Sequence, residues 1–412
     1  MKKGIIVRGP VLSQSGYGEQ SRFALRALRS REDLFDIFVQ PLPWGMTGWV
    51  WEQDEFREWL DKRIRLTQIA VAQKSLNPEV SLQIGIPNEW VKMCPINIGY
   101  TAGIETSRVA PVWLEKGNMM DKILVVSTHA KETYQNTVVQ ATNSQTNETF
   151  PYKLETAIDV VYEKTPHYTP TPIADIDFEY DFNFLCVSQM GPRKNFENTI
   201  KWFVEEFFDQ PVGLVLKTSI RCNSIVDHKA TQTILKNILS AYPERKCKVY
   251  LLHGDLSGDQ MAGLYTNDKI KAIVNIAHGE GFGLPLYEAA RNGLPVVTIG
   301  WSGQTDFLYH DGKKYFQDVS FTMRPIQEEA VWDGVLEKSS MWAYADQGSF
   351  KMTLRKTWKN WDNCKKVANE LKDLVNDKFD EEKLCKGFVD SVLGFDSSLI
   401  ETNSEESVLE FD

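Results

Sequence analysis

Two carboxylates, Glu280 and Glu288, stand with seven residues between them on either side of a glycine-rich turn, GFGLP, that opens a short helical pattern. Gly281 and Gly283 admit backbone conformations closed to residues with a Cβ, and Pro285 suits a first helical position. The unpaired N–H groups of such a helix start favour a phosphate or another anion. Gly293 is expected to end the helix as its C′ residue. The apolar run Leu294 to Ile299 then reads as a buried parallel strand, with Gly300 to Gly303 as a second glycine-rich loop beside the first. A pair of cations, Arg193 and Lys194, follows the strand pattern Phe184 to Ser188 at the start of another helix. Cations at that end oppose the helix dipole unless an anion is bound there. Asp175 and Asp177 form a D-x-D pair of the kind that can hold a divalent metal. They follow a proline-rich stretch and sit among Glu179 and Asp181, so a solvated acidic linker is the better reading, and no essential metal is expected.

The stretch GEGFGLPLYEAARNGLPVV, residues 279 to 297, resembles the signature of the GT-B glycosyltransferases of the family 4, or group 1, type. The resemblance implies that Glu280 touches the transferred sugar and Glu288 the ribose hydroxyls of a nucleotide donor. Gly281, Phe282, Gly283, Leu284 and Gly303 would then bind that donor. The segment QMGPRKN, residues 189 to 195, is similar to the family's GR..P.KN, in which an Arg and a Lys grip the diphosphate. Lys194 matches the Lys; Gln189 stands where the Arg is usual, and the neighbouring Arg193 is the candidate to replace it. A guanidinium and an ammonium differ in reach and geometry, so the Arg position matters. By the same resemblance Gly16 and Gly18 belong to a loop approaching the diphosphate, His253 closes a strand where the base is seated, and Glu105, Thr106 and Arg108 line the acceptor side. Ser127 reads as a helix cap, and His129 as structural.

These residues require a scaffold of alternating strands and helices. Apolar runs at Gly4 to Val7, Phe35 to Val39, Ile96 to Tyr100 and Lys122 to Val126 predict one βα layer, and the cycle restarts from Phe182. The expected fold is therefore α/β of the GT-B type, two Rossmann-like domains facing across a cleft with C-terminal helices crossing back onto the first. The expected boundaries are 1–172 for the acceptor domain, 173–345 for the donor domain, 346–395 for the crossing helices and 396–412 for a disordered acidic tail. Trp342, Trp358 and Trp361 are the expected anchors of the crossing helices. Arg22, Arg26 and Arg29 share one helix face, read as solvated and partly neutralised by Glu32 and Asp33. An anionic acceptor or a membrane surface is the sharper alternative for that face.

The chain has 412 residues, 42% hydrophobic and 25% charged, with a formal charge of −10, which suits a folded protein and argues against a general polyanion binder. Six cysteines without CxxC spacing suit reduced thiols in the cytoplasm. The N-terminal apolar run is too short for a signal peptide, and no stretch is long enough for a transmembrane segment. The expected function is a retaining, metal-independent transfer of a sugar from a UDP- or GDP-sugar, with no other cofactor, to a hydroxyl of a glycan, a lipid-linked sugar or modified DNA. Peripheral membrane contact is compatible with that function, and a sugar-nucleotide epimerase and a noncatalytic nucleotide-sugar-binding protein are the alternatives to it.

Overall fold

A computed structural model of the chain describes residues 2–174 and 176–394, and the backbone of 409–411. The N-terminal half builds a sheet from β1 (Lys3–Gly9), β2 (Phe35–Pro41), β3 (Val80–Ile84), β4 (Ile96–Thr101) and β5 (Lys122–Val125). Between these strands run α1 (Gly16–Arg29), α2 (Glu55–Ala72) and α3 (Pro111–Asn118). After them come α4 (Thr128–Asn136), a hairpin of β6 (Val138–Asn143) and β7 (Thr149–Lys153), and β8 (Ile158–Val160). The sheet order is β2-β1-β3-β4-β5-β8, every pair parallel. The central strands are covered on both faces: β3 and β5 are buried along their whole length, and the buried Ser81 and Gln83 of β3 are satisfied by Asn97 and the Val91 carbonyl.

The second half repeats the plan with β9 (Asn183–Val187), α5 (Phe196–Phe207), β10 (Gly213–Lys217), α6 (Ile225–Ser240), β11 (Lys248–Leu252), α7 (Gly258–Tyr265), β12 (Ile270–Asn275), α8 (Leu284–Arg291) and β13 (Val296–Ile299). It continues through α9 (Thr305–Leu308), a small hairpin of β14 (Tyr309–His310) and β15 (Lys313–Lys314), and the edge strand β16 (Gln317–Val319). The order β11-β10-β9-β12-β13-β16 is again wholly parallel. Sheet order reverses at β9 and β12, so the loops leaving their carboxyl ends diverge and leave a crevice. An antiparallel pair, β17 (Phe321–Pro325) and β18 (Met341–Ala345), precedes α10 (Gln347–Lys359), α11 (Trp361–Lys378) and α12 (Glu381–Leu393).

The last helix does cross back. Phe388 on α12 is fully buried with its ring edge against Phe23 of α1 at 5.8 Å, and Lys122 donates to the Ser391 carbonyl at 2.9 Å. The three tryptophans expected to anchor this crossing pack on the second half instead. Trp342 stacks on His278, Trp358 meets Phe207 edge-on, and the Trp361 indole donates to the Lys271 carbonyl. Helices α10 and α11 cover the second half before α12 leaves it, which is why their aromatic residues stay there.

The arginine face of α1 is not a free cationic surface. Arg22 is buried, paired with Glu19 at 2.6 Å and donating to the carbonyls of Val11 and Ser13. Arg26 donates to the Lys164 carbonyl, and Arg29 pairs with Glu55. The neutralising partners expected from sequence are engaged elsewhere, Glu32 with Arg63 and Asp33 with Arg31. Of the expected tail, Leu409–Phe411 forms a strand antiparallel to β6, while 396–408 and Asp412 lie outside the described residues, as does Asp175 of the D-x-D pair.

Candidate active site

The crevice at the sheet reversal brings together Lys194, Arg193 and Glu280, with Glu105 reaching in from the first half. The loop after β9 turns through Pro192–Lys194 into α5, and the loop after β12 carries Gly279 and Glu280 into α8. Lys194 Nζ lies 2.6 and 2.8 Å from the two Glu280 carboxylate oxygens, and Arg193 Nη1 lies 3.1 Å from Oε2. Asn275, the last residue of β12, donates to Oε1 at 3.0 Å. Burial alone would raise the Glu280 carboxyl, but the charges of Lys194 and Arg193 outweigh it and hold the group down at about 2. Gln189, in the position usual for the family's arginine, donates instead to the Ile220 and Arg221 carbonyls. Arg193 takes the place beside Lys194, and its other Nη reaches Glu105 at 3.2 Å.

The turn before α8 is built by glycine for two different reasons. Gly283 has φ +92, the left-handed region expected of it. Gly281 is needed for close approach: a Cβ there would lie 2.4 Å from the Ala102 carbonyl oxygen of the first half. The second loop fits against the first, since a Cβ on Gly303 would fall 1.9 Å from the Gly281 carbonyl, and the Gly303 N–H donates to the Glu280 carbonyl. Ser302 is a non-glycine residue at φ +71; its hydroxyl accepts from the Glu280 N–H at 2.9 Å and donates to Gln304. Such strain at a site loop is held by the surrounding bonds. The Phe282 side chain itself is core, packed on Tyr287, Phe307 and Phe379, and the Leu284 side chain is half-buried.

Glu288 lies one turn along α8 and differs electrically from Glu280. Burial pushes its carboxyl up to about 7, against a hydrogen bond from the Tyr265 hydroxyl at 2.9 Å. On the first half, Gly16 opens α1, Ser15 caps it by accepting from the Gly18 N–H, and a Cβ on Gly18 would strike the Ser13 carbonyl at 2.0 Å. Thr106 donates to the Arg108 carbonyl, and neighbouring Ser107 bonds through its N–H to the Met341 carbonyl of β18. Of the acceptor-side candidates, Glu105 therefore faces the site, while Thr106 shapes its loop. His253 is held by Asp227 at 2.9 Å at the end of β11. Ser127 caps α4 as expected, and burial lowers His129 to about 4, with its ring meeting that of Trp301 edge-on at a centroid distance of 4.9 Å.

This arrangement, two wholly parallel sheets with a paired cation loop and a glycine loop meeting at the second sheet's reversal, is the GT-B fold. Sucrose-phosphate synthase from Thermosynechococcus elongatus superposes with a TM-score of 0.63 over 95% of this chain and 99% of that one, at 13% identity. HepE of Anabaena, solved with UDP and glucose, gives a TM-score of 0.56 over 95% of this chain and 100% of that one, at 12% identity. In sequence, a 118-residue segment is 31% identical to the serotype-specific mannosyltransferase WbdA of Escherichia coli; it spans 28% of this chain and 13% of the mannosyltransferase. No protein-family model matches the chain. No helix among the described residues is long and apolar enough to cross a membrane.

Proposed function

We propose that the protein is a glycosyltransferase that moves a sugar from a nucleoside diphosphate to an acceptor hydroxyl with retention at the anomeric carbon. The observation that carries this reading is the Lys194, Arg193 and Glu280 cluster at the sheet reversal, where an α/β fold binds its ligand. Lys194 and Arg193 supply fixed positive charge for the diphosphate leaving group, so charge developing there meets groups already in place. Glu280 is the carboxylate for the transferred sugar, and Glu288 accepts from the ribose hydroxyls. Glu105 reaches Arg193 from the first half and marks the acceptor side. A single-face displacement, in which the donor's own phosphate oxygen takes the acceptor proton, asks the protein for fixed charge and positioning of this kind and for no nucleophile of its own.

Support also comes from the naming of the relatives, a mannosyltransferase in sequence and a UDP-bound protein in fold. UDP- and GDP-sugars are the donors to test first, in the cytoplasm where free thiols such as the six here persist. The experiment is nucleotide release from a panel of UDP-, GDP-, ADP- and CMP-sugars, without acceptor and with EDTA, for wild type and Glu280→Ala. Slow release from one donor by wild type only is the expected result. Donor binding with conversion of the sugar to an epimer, or with no release even when acceptors are supplied, contradicts it.

A further inference from the structure

The loop joining β2 to α2, residues 42 to 54, exposes three large apolar side chains: Trp49 at 64%, Met46 at 64% and Trp51 at 54%. Hydrophobic side chains this open on a globular surface call for a reason. The loop is firmly seated. Ser13 and Trp49 form an antiparallel bridge, the Gln14 N–H donates to the Gly48 carbonyl, the Val50 N–H donates to the Leu12 carbonyl, and the Ser13 and Thr47 hydroxyls lie 2.6 Å apart. Its partner is thus the turn leading from β1 into the Gly16 and Gly18 loop. Trp44 packs on Tyr17 with ring centroids 4.7 Å apart, and the Tyr17 hydroxyl bonds to Thr101, next to the Ala102 carbonyl that Gly281 approaches. From the second half, Arg221 reaches Met46 Sδ at 3.2 Å. The aromatic loop therefore rims the crevice between the halves, on the first half's side.

Charge narrows what such a rim can hold. The loop itself holds no Lys or Arg and carries Glu52 and Asp54 after Trp51; the cations that reach it are scattered, Arg57, which donates to the Val50 carbonyl at 2.7 Å and is paired with Asp61, and Arg221 at Met46. Anionic lipid and nucleic acid are attracted by clustered Lys and Arg and repelled by carboxylates. A ligand without phosphate, presenting flat C–H faces and hydroxyls, suits indole rings flanked by acceptor oxygens. We infer that Trp49 and Trp51 form an acceptor subsite for an uncharged oligosaccharide, which stacks on the two indoles and extends inward toward Glu105. This rests on the transferase reading above and supplies its acceptor class. In an extended stretch, residues two apart share a face, and Trp49 and Trp51 are both more exposed than the intervening Val50, so they present one platform.

The test titrates the full chain with mannotriose, maltotriose and chitotriose, and in parallel with anionic lipid vesicles and single-stranded DNA, following tryptophan fluorescence and heat. At least one trisaccharide is expected to bind, with affinity at least about tenfold weaker in Trp49→Ala/Trp51→Ala, as truncating aromatic anchors typically costs. Trp49→Phe/Trp51→Phe retains most of the binding, and both variants melt with wild type because the side chains are exposed. Absence of binding by every trisaccharide, equal binding by the alanine variant, or tryptophan-dependent binding of vesicles or DNA in place of sugar overturns the inference. Nucleotide release by wild type is measured alongside, with and without the trisaccharides: its absence under both conditions together with tryptophan-dependent sugar binding removes the transferase reading and leaves the sugar platform.

Discussion

Replacing Glu280 by Gln strips Lys194 and Arg193 of the negative charge they share, and the cost can be read from the acidity of the carboxyl itself. The two cations, working against burial, bring that carboxyl from its ordinary 4.5 to about 2. At about 1.4 kcal/mol per unit, the ionised form is favoured in the folded protein by about 3 kcal/mol. Removing one member of a buried ion pair costs about 3–5 kcal/mol in general, the same range. Because the folded-state value is depressed, this stability is present above 4.5 and lost as pH falls toward 2. Urea unfolding should therefore find Glu280→Gln about 3 kcal/mol less stable than wild type at neutral pH, with the gap narrowing in acid below 4.5. A second arm adds UDP, which stabilises whatever folded state binds it. The variant should gain more from UDP than wild type, since Lys194 is no longer engaged by a carboxylate and Arg193 keeps only Glu105. Equal stability of the two proteins at neutral pH, or a gap that does not narrow in acid, would refute the reasoning.

Nucleotide affinity should rise through pH 7, because Glu288, raised to about 7 by burial, accepts from ribose hydroxyls fully only once ionised; calorimetry against pH checks this, and Glu288→Gln should flatten the profile. The same raised value means that Glu288 favours the folded state below 4.5 and loses that contribution as pH climbs through about 7. Gly281→Ala places a Cβ 2.4 Å from the Ala102 carbonyl and should force the halves apart, with kcat falling more than melting temperature in steady-state and thermal assays. Phe388→Ala should cost about 3–5 kcal/mol by urea unfolding through loss of the fully buried ring between Phe23 and Tyr100.

The glycine-rich turn, its helix and the following strand were legible because each has a local cause: Gly283 needs its left-handed backbone, and Gly293, at φ +71, ends α8. The core strands were legible for a similar reason, as runs of apolar residues bounded by turns. Residues whose role depends on distant partners were not. Asn275 and Ser302 grip Glu280 from the ends of β12 and β13, and neither carries a spacing signal; only the loop context after a buried strand points to them. Arg193 was readable as a cation near the site, but its bond to Glu105 of the other half is a property of how the two halves meet. The tryptophans near the C-terminus misled for the opposite reason, since their size predicts burial without saying which half receives them.

The central claim, that Lys194 and Arg193 form the seat of a nucleoside diphosphate, is tested most directly by calorimetric titration of UDP and GDP into wild type, Lys194→Ala and Arg193→Ala. The account predicts that wild type binds at least one of them and that each variant loses about tenfold or more, the cost of a charged hydrogen bond of about 1.5–3 kcal/mol. Binding of UDP or GDP with the same affinity to all three proteins would contradict it.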